Sequence, residues 1–424
     1  MKRFLLLVSM VAGFRAGAVA EPATGGLRLS PLFSDGMVLQ RGLEVPIWGE
    51  AAAGQPVTVS LNDKSATATA DANGKWMLRL PPLEAGGPFE VQFKSGQADA
   101  LVVKNVLVGD VWVASGQSNM AFAVRGAVNA EQEIAAANDP QLRMFTVARV
   151  AIGEPQTQLR GSWQEANPQN VGGFSAVGYF FARELRRELR IPIGIIHSSW
   201  GGSSAQAWMR REVYENDPDL QPTRDAWKKT LENYPQARTA YEAKLAEWQT
   251  EADKAKAEGR PEPAKPREPP GPTYFSRPSA LYNGMIAPLL PYAIKGVIWY
   301  QGEANSGQAK QYRKLFPALI ANWRQDWKQG DFPFLFVQLA GYLKRQEQPS
   351  EGGWAEIREA QQMTLSVPNT GMALAIDIGE AADVHPKNKQ EVGRRLALAA
   401  LAQVYGRDIP YSGPLYDSMT VEGN

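Results

Sequence analysis

Residues 106–120 have the sequence Val-Leu-Val-Gly-Asp-Val-Trp-Val-Ala-Ser-Gly-Gln-Ser-Asn-Met, and they decide the fold. The first nine are mostly apolar and rich in β-branched types, which is typical of a strand buried on both faces. Small and polar residues then follow abruptly. Ligands of open α/β sheets bind outside the carboxyl ends of the strands, so Ser118 lies where a nucleophile is useful. An ordinary turn serine is the alternative interpretation.

Apolar runs with the length of strands recur along the rest of the chain, and helical patterns lie between several of them. The strand-like runs are 106–114, 193–196, 294–300, 334–339 and 372–378. Apolar residues at three- and four-residue spacing predict helices at 175–189, 311–327, 355–365 and 389–404. This alternation predicts an α/β fold with a doubly wound parallel sheet, whose five strand ends lie along one edge.

The chain before residue 105 has a different pattern. Short alternating or β-branched runs are separated there by turn formers such as Asn73-Gly74. We therefore predict a small β-sandwich-like domain at residues 21–104 and a larger α/β domain at residues 105–424. Two domains also suit a chain of 424 residues, which is longer than one core usually serves.

One segment of the larger domain, at about residues 212–272, departs from the alternation. It is charged and alanine-rich at first and proline-rich from residue 261 onward. This composition predicts a solvated helix followed by an extended tether. A lid over the site is the alternative role.

Composition excludes several classes of partner and cofactor. The formal net charge is +1 and no basic run stands out from its acidic neighbours, so we expect no nucleic-acid partner. The chain contains no cysteine, which excludes disulfides and thiolate catalysis. A zinc site would depend on two histidines and carboxylates, and we expect neither a metal nor an organic cofactor.

Residues 1–20 have the pattern of a secretory signal peptide. Two basic residues precede an apolar core at 4–14 that is too short to span a bilayer comfortably, and Ala18-Val19-Ala20 resembles a cleavage site. We expect a mature protein that begins near Glu21 and is secreted or periplasmic. No later segment is long and apolar enough for a membrane helix, so no membrane association is expected after cleavage.

Distinct polar or glycine-rich clusters follow four of the predicted strands, at 115–119, 197–203, 299–305 and 377–386. Together they contain a serine, backbone amides exposed by glycine, side-chain amides and an Asp/His pair. Acyl transfer needs these parts, because it uses a nucleophile, donors for an oxyanion, and a base with an orienting acid.

The chain has only two histidines, His197 and His385, and a serine nucleophile usually needs one as its base. Asp383 precedes His385 by two residues, and Pro386 favours an extended backbone at His385. We therefore favour His385 as the base. His197 lies close behind a strand and could equally be a buried, hydrogen-bonded structural residue.

Four motifs occur in order: Gly-Gln-Ser-Asn-Met at 116–120, Trp-Gly-Gly-Ser at 200–203, Trp-Tyr-Gln-Gly-Glu-Ala-Asn at 299–305 and Asp-Val-His-Pro-Lys-Asn-Lys at 383–389. With Leu-Phe-Ser-Asp-Gly-Met-Val-Leu-Gln-Arg at 32–41, they resemble the sialate O-acetylesterase family. The resemblance extends from about Leu27 to the end, apart from the charged insert. That family belongs to the SGNH hydrolases, so the resemblance implies a flavodoxin-like sheet.

The resemblance implies that Ser118 is the nucleophile and His385 the general base, and that no metal or cofactor takes part. The implied oxyanion donors are a backbone amide, from Gly201 or Gly202, and a side-chain amide, from Gln301 or Asn305. Because Met120 replaces the last glycine of the Gly-x-Ser-x-Gly elbow, the common α/β-hydrolase arrangement is disfavoured.

The orienting acid is less clear from the resemblance. Many SGNH hydrolases have it three residues before the histidine, where this chain has Ala382, so we choose Asp383. The substitutes are Asp377, Glu380 and Glu303. The candidate substrate-binding residues are Gln117, Asn119, Glu303 and Trp200, of which Glu303 also suits a structural role and Trp200 a core position.

The resulting hypothesis is a secreted carbohydrate O-acetylesterase that acts on acetylated sialic acid or acetylated plant glycans. A broad-specificity SGNH esterase or lipase is one alternative. A non-catalytic carbohydrate-binding protein is another, although the chain retains both the serine and the histidines. Nothing in the sequence indicates an oligomeric state. Residues 418–424 resemble the start of a strand or hairpin, and because the family often continues with β structure, we expect a truncated C-terminus.

Overall fold

The structure is a computed structural model, and it describes residues 26–96, 99–348, 351–415 and 418–423. The predicted signal peptide at 1–20 lies outside the described residues.

Strands alone form the first part of the described chain. They are β1 (Arg28–Leu29), β2 (Val38–Gln40), β3 (Val45–Glu50), β4 (Pro56–Leu61), β5 (Lys64–Thr69), β6 (Lys75–Leu80) and β7 (Gly86–Ser95). The antiparallel strands β1, β3 and β6 make a three-stranded sheet, and β4 pairs with both β5 and β7. Val57, Val59 and Leu61 alternate with more exposed neighbours along β4, so this strand buries one face.

A single long strand, β8 (Leu101–Gly116), joins this region to the rest of the molecule. Its first part pairs with β7 and β2, and its second part pairs with strands of the parallel sheet. The predicted boundary at residue 104 therefore falls inside a continuous strand, because one hydrogen-bonded backbone serves both regions. The division into two domains stays a prediction.

The elements that follow alternate between helices and strands. In order they are α1 (Ser118–Ala121), α2 (Ala130–Ala135), β9 (Asp139–Thr146), β10 (Trp163–Ala166), α3 (Ala176–Leu189), β11 (Ile193–Ser199), α4 (Arg211–Asn216), α5 (Gln221–Ala257), β12 (Gly296–Tyr300), α6 (Ala309–Trp327), β13 (Phe334–Val337), α7 (Gly353–Met363), β14 (Thr370–Ala373) and α8 (Lys389–Gln403). The spatial strand order is β10-β9-β11-β8-β12-β13-β14. All neighbours from β9 to β14 are parallel, and β10 is an antiparallel edge strand.

A strand is present at each of the five predicted apolar runs, although the bounds differ by several residues, most of all for the last. The last run ends as a strand at Ala373, and residues 376–378 form a 3₁₀ turn instead. Strands β9 and β10 were not predicted. Residues 142–145 of β9 are all buried, but Arg143 interrupts the apolar run that would have indicated a buried strand.

The four predicted helices are confirmed within a few residues. Ser175 caps α3, since its hydroxyl accepts a hydrogen bond from the Gly178 N–H at 3.1 Å. Helix α3 packs against α8 so closely that a side-chain carbon added at Gly393 would lie 2.6 Å from Phe180 Cβ. Helix α6 packs against α7.

The predicted insert contains a helix followed by an irregular proline-rich segment, as expected. That segment runs back along α5 rather than away from it. The indole N–H of Trp248 donates to the Pro263 carbonyl at 2.8 Å, and Arg238 pairs with Glu268 at 2.7 Å. Among the helices of the described residues, none has the length and apolar character needed to cross a membrane.

Candidate active site

Ser118 lies directly beyond the carboxyl end of the central strand β8. The strand ends at Gly116, whose φ is +134°, and a Cβ at this position would lie 2.1 Å from the Tyr300 carbonyl oxygen. Only glycine avoids that collision. The chain therefore passes tightly across β12, where the Gln117 N–H donates to Tyr300 O at 2.9 Å, and Ser118 begins α1 at the sheet edge.

The structure brings Ser118, His385 and Asp383 together. Ser118 Oγ lies 2.8 Å from His385 Nε2, and Asp383 Oδ1 lies 3.3 Å from His385 Nδ1. The same carboxylate oxygen accepts a hydrogen bond from the His385 backbone N–H at 2.8 Å. This bond lowers the pKa of Asp383. The His385 and Asp383 side chains are 34% and 45% exposed, so the acid keeps much of its hydration.

The substitutes for the acid are occupied elsewhere. Asp377 binds the Arg395 guanidinium through both carboxylate oxygens, at 2.6 and 2.7 Å, and these bonds lower its pKa. Glu380 accepts a hydrogen bond from the Lys387 backbone N–H at 3.2 Å. Of the candidate carboxylates, Asp383 is therefore the one that contacts the His385 ring.

The other histidine has a separate environment. His197 is buried within β11, and its Nε2 lies 2.6 Å from Ser199 Oγ. Burial lowers the pKa of His197 to about 4, so the ring is neutral at ordinary pH. In the described part of the chain it makes no hydrogen bond to Ser118.

Two glycines lie beside the nucleophile. A Cβ at Gly201 would be 3.2 Å from Ser118 Cβ, so the backbone approaches the serine closely there. Gly202 has φ of +76°, in the left-handed region. The N–H groups of Gly201 and Gly202 have no acceptor among residues that the structure describes. They are therefore free to donate to a ligand.

Gln301 differs from the prediction that it donates to an oxyanion. Its Nε2 donates to Ser203 O at 3.2 Å and to Asn305 Oδ1 at 2.7 Å, and its Oε1 accepts from the Tyr312 hydroxyl at 2.9 Å. Both amide hydrogens are therefore used inside the protein. Gln301 has no hydrogen left for an oxyanion in this arrangement.

Asn305 keeps one amide hydrogen. Its Oδ1 accepts from the Ala205 N–H at 2.9 Å as well as from Gln301, and its Nδ2 donates to Gln206 Oε1 at 3.0 Å. An amide nitrogen carries two hydrogens, so one remains without a protein acceptor in the described ranges.

Gln117 also has a free donor. Its Oε1 accepts from the backbone N–H groups of Gly302, at 3.4 Å, and Ala304, at 3.1 Å. Its Nε2 donates to no acceptor in the described residues, although the residue is only 3% exposed. The amide is thus held in place through its oxygen beside Ser118, which is compatible with the predicted contact to substrate.

Asn119, in contrast, lies inside a buried cluster that we call the Lys389–Glu303 cluster, consisting of Asn119, Glu303 and Lys389. Asn119 Nδ2 donates to Glu303 Oε1 and, at 3.0 Å, to the Val384 carbonyl, while its Oδ1 accepts from Lys389 Nζ. Every polar atom of the Asn119 side chain is therefore occupied. These contacts join the serine turn to the chain beside His385, so the structure gives Asn119 a structural role instead of the predicted contact to substrate. The substrate-binding role of Glu303 stays a prediction.

The charges of this cluster are poorly hydrated. Lys389 is completely buried, which lowers its pKa to about 7, and burial raises the pKa of Glu303. Glu303 Oε2 has no hydrogen-bond partner in the described chain. The Lys389 ammonium lies 5.0 Å from the Phe122 ring centre and 5.3 Å from that of Tyr300, where the ring faces stabilise it.

Lys389 is the site residue that sequence reasoning missed, although it ends a quoted motif. A signal was present, because Lys389 is the first residue of α8 and cations are unfavourable at helix N-termini. A lysine in that position needs a local partner, and here the partners are Asn119 and Glu303.

Trp200 is half-buried beside the glycines. It stacks on Phe275 with ring centres 4.9 Å apart, and the Arg149 guanidinium lies 5.9 Å from its ring centre. The chain just after the insert therefore contacts the wall of the site through Phe275. A contact between Trp200 and a sugar stays a prediction. The described residues contain no group of three or more His, Asp or Glu side chains placed to hold a metal.

Comparisons with known proteins show which family the chain belongs to. The family model described as carbohydrate esterase, sialic acid-specific acetylesterase matches residues 108–255 and 272–402. Rat sialate O-acetylesterase is 34% identical over 97% of this chain and 79% of its own length, and the human enzyme is 32% identical over 92% and 73%. The crystal structure of a carbohydrate acetylesterase from Xanthomonas citri, 39% identical, aligns with a TM-score of 0.75 over 93% of this chain and 79% of its own.

The protein is thus a carboxylic ester hydrolase with an α/β fold. Within that class, the chain belongs to the carbohydrate esterase family described as sialic acid-specific acetylesterases.

Proposed function

We propose that this protein is an exported carbohydrate O-acetylesterase that forms an acetyl-enzyme on Ser118. The observation that carries the proposal is the 2.8 Å contact between Ser118 Oγ and His385 Nε2 at the carboxyl end of β8. A neutral imidazole at this distance is within hydrogen-bond reach of the proton that it must remove. The names of the relatives support acetylated sugars as the substrate class.

In the proposed mechanism, His385 Nε2 takes the hydroxyl proton as Ser118 Oγ attacks the acetyl carbonyl carbon. His385 then returns this proton to the sugar oxygen, and the sugar leaves as an alcohol. Water attacks the acetyl-enzyme with the same base, which releases acetate and restores Ser118. Asp383 orients the ring through Nδ1 and stabilises the imidazolium.

The oxyanion of each tetrahedral intermediate would be stabilised by the free N–H groups beside Ser118. Gly201 and Gly202 offer backbone donors, and Asn305 offers its remaining amide hydrogen. Fixed donors in a site that excludes water stabilise developing charge strongly, and removal of one typically costs about 10²–10³ in kcat. No metal or organic cofactor takes part in this proposal.

The strand order supports the SGNH form of the fold. If β8, β11, β12, β13 and β14 are numbered 1 to 5 in chain order, their order across the sheet is 2-1-3-4-5. That order is the flavodoxin-like one, in which ligands bind where the strand order reverses. The reversal lies beside β8, the strand that precedes Ser118. Export is proposed from the pattern of residues 1–20 alone.

The proposed function is tested by measuring acetate release from O-acetylated sialic acid and from acetylated xylan. A parallel series of p-nitrophenyl acetate, butyrate and octanoate measures the preferred acyl chain. We expect acetate release from at least one glycan, and a kcat/KM for the acetyl ester at least about tenfold above that for octanoate, which corresponds to 1.4 kcal/mol.

Each alternative predicts a different result. Equal or better turnover of the octanoate ester would identify a broad-specificity esterase or lipase. Binding of acetylated glycan without acetate release would identify a non-catalytic carbohydrate-binding protein. The glycan that is deacetylated faster names the substrate class.

The exposed position of Asp383 predicts a moderate effect for Asp383→Asn. We expect kcat for p-nitrophenyl acetate to fall by about 10²-fold. Replacement of a buried triad aspartate by asparagine lowers kcat by roughly 10⁴-fold. The loss is smaller here because a half-exposed carboxylate stabilises the imidazolium less than a desolvated one. Glu380→Gln is the control, since Glu380 makes no contact with the ring, and it should retain activity. Equal losses in the two variants would contradict the assignment of Asp383.

A further inference from the structure

A cleft of 640 Å³ lies between the three-stranded sheet β1-β3-β6 and the loop that follows β9. This volume falls within the range of about 300–1,000 Å³ that is typical of ligand sites. The sheet contributes Trp48 and Met77, and the loop contributes residues 156–159. Ser118 and His385 do not line it. The cleft is therefore a separate feature of the molecule.

The floor of the cleft is an apolar platform. Trp48 and Met77 are opposite each other on β3 and β6, so both side chains point to the same face of the sheet. Phe33 packs edge-on against Trp48, with ring centres 4.7 Å apart, and fixes the indole. Met77 is 47% exposed, which is unusual for a large apolar side chain beside a tryptophan.

One end of the cleft is lined by charged side chains whose net charge is zero. Glu50 is opposite Arg28 on β1 and opposite Lys75 on β6, two residues along from the apolar pair, so the three share the same face. Asp71 contributes a second carboxylate to the lining. Two cations and two anions give no net charge, which favours a neutral ligand over an anionic or a cationic one.

Trp76 lies on the opposite face of the sheet from Trp48 and Met77. It is opposite Gly49 on β3, where a Cβ would lie 2.8 Å from its ring, and it is only 3% exposed. Its indole therefore packs behind the platform and supports the sheet that carries Trp48 and Met77.

We propose that this Trp48–Met77 cleft binds a neutral oligosaccharide, at a site separate from the acyl-transfer site. A pyranose ring presents one face of C–H groups, which suits Trp48 and Met77, and a rim of hydroxyls. Those hydroxyls accept from Arg28 and Lys75 and donate to Glu50, which share the face of Trp48 and Met77. An apolar peptide would leave these polar groups unpaired, which is costly.

The loop between β9 and β10 connects the two sites. It carries Arg149, which lies over Trp200 beside the glycines of the acyl-transfer site, and Gln156, which lines the cleft. A glycan polymer held in the cleft is thereby retained next to the wall of the site that removes its acetyl groups. The cleft thus raises the local concentration of acetyl esters without taking part in the chemistry.

The test is calorimetric titration of the full chain with deacetylated xylohexaose and cellohexaose, which contain no ester. Wild type should bind at least one of them, and Met77→Lys should lower the association constant at least tenfold. Met363→Lys is the matched control, since Met363 is 49% exposed but lies on α7, and it should bind as wild type does. Glu50→Gln removes the carboxylate charge at the polar end of the cleft and should weaken binding severalfold.

Activity assays separate this cleft from the ester-hydrolysing site. All three variants should turn over p-nitrophenyl acetate as wild type does, whereas Met77→Lys should raise KM for acetylated xylan with little change in kcat. Failure to bind either sugar overturns the proposal, and so does unchanged binding by Met77→Lys. Loss of a dimer in Met77→Lys, seen by light scattering, would also overturn it by assigning the cleft to a second copy of the chain.

Discussion

Ser118→Ala is expected to lower kcat for acetate release by about 10⁴-fold or more, with the fold unchanged. The reason is that no other group near His385 Nε2 replaces the hydroxyl that lies 2.8 Å from it. In a serine protease, removal of the nucleophilic serine lowers kcat by about 10⁶-fold. The rate that remains comes from substrate binding and the oxyanion donors. The measurement is steady-state release of acetate, with thermal unfolding recorded to confirm an intact protein.

His385→Ala should reduce kcat nearly as much, and the two losses should not add in the double variant, because the residues act as a unit. The chain offers a matched control in its other histidine. His197→Gln keeps a hydrogen-bonding group near Ser199, which is 2.6 Å from the His197 ring, and should keep kcat within a few-fold of wild type. Burial of His197 means that the control variant should unfold at a lower temperature.

Two results would contradict the assignment of the base or of the nucleophile. If His197→Gln lost activity while His385→Ala kept it, the base would be wrongly assigned. If Ser118→Ala retained turnover above about one per cent, another nucleophile or a directly activated water would have to carry the reaction.

The strands of the parallel sheet were predictable because they are buried on both faces and their sequences are continuous apolar runs. Gly296–Tyr300 and Phe334–Val337 illustrate this, since every residue in them is buried. β9 escaped prediction because Arg143 occupies a buried position. Its guanidinium bonds to Asn105 Oδ1 at 3.0 Å and to Pro140 O at 2.7 Å, partners that a local pattern does not reveal.

The site was predictable to the extent that its groups come from strand ends. Ser118 and His385 follow strands or turns at the same edge, and the scarcity of histidine left few choices for the base. The hydrogen-bond saturation of Gln301 and Asn119 was not predictable. Both residues lie in the same motifs as the proposed catalytic groups, and only the positions of Ser203, Asn305 and Val384 show that their amides are already used.

Lys389→Met is expected to destabilise the fold and to slow catalysis without weakening substrate binding. The variant leaves Asn119 Oδ1 without its donor and the buried Glu303 carboxylate without a nearby cation. Breaking a contacting buried charge pair by removing one partner typically lowers the free energy of unfolding by about 3–5 kcal/mol, and we expect a smaller loss here because Asn119 lies between the two charges. The cluster orients the serine turn through Asn119, so we expect kcat to fall about 10–100-fold while KM stays nearly constant.

Lys387→Met is the control for that variant, because it makes the same change on an exposed lysine two residues away. It should leave kcat and the free energy of unfolding close to the wild-type values. Glu303→Gln combined with Lys389→Met removes both charges and should be more stable than Lys389→Met alone, since no uncompensated charge stays buried. Equal destabilisation of the single and double variants would contradict a coupled pair.

The pH dependence of stability distinguishes this charge pair from a purely steric role of Lys389. Burial lowers the pKa of Lys389 to about 7, whereas the unfolded chain retains its ordinary value of 10.5. Between these values the unfolded state binds more protons, so rising pH stabilises the folded state through this group. Wild type should therefore gain free energy of unfolding relative to the Glu303→Gln/Lys389→Met protein from pH 7 to 10, measured by urea unfolding. A constant difference over that range would mean that Lys389 does not change its proton binding on folding.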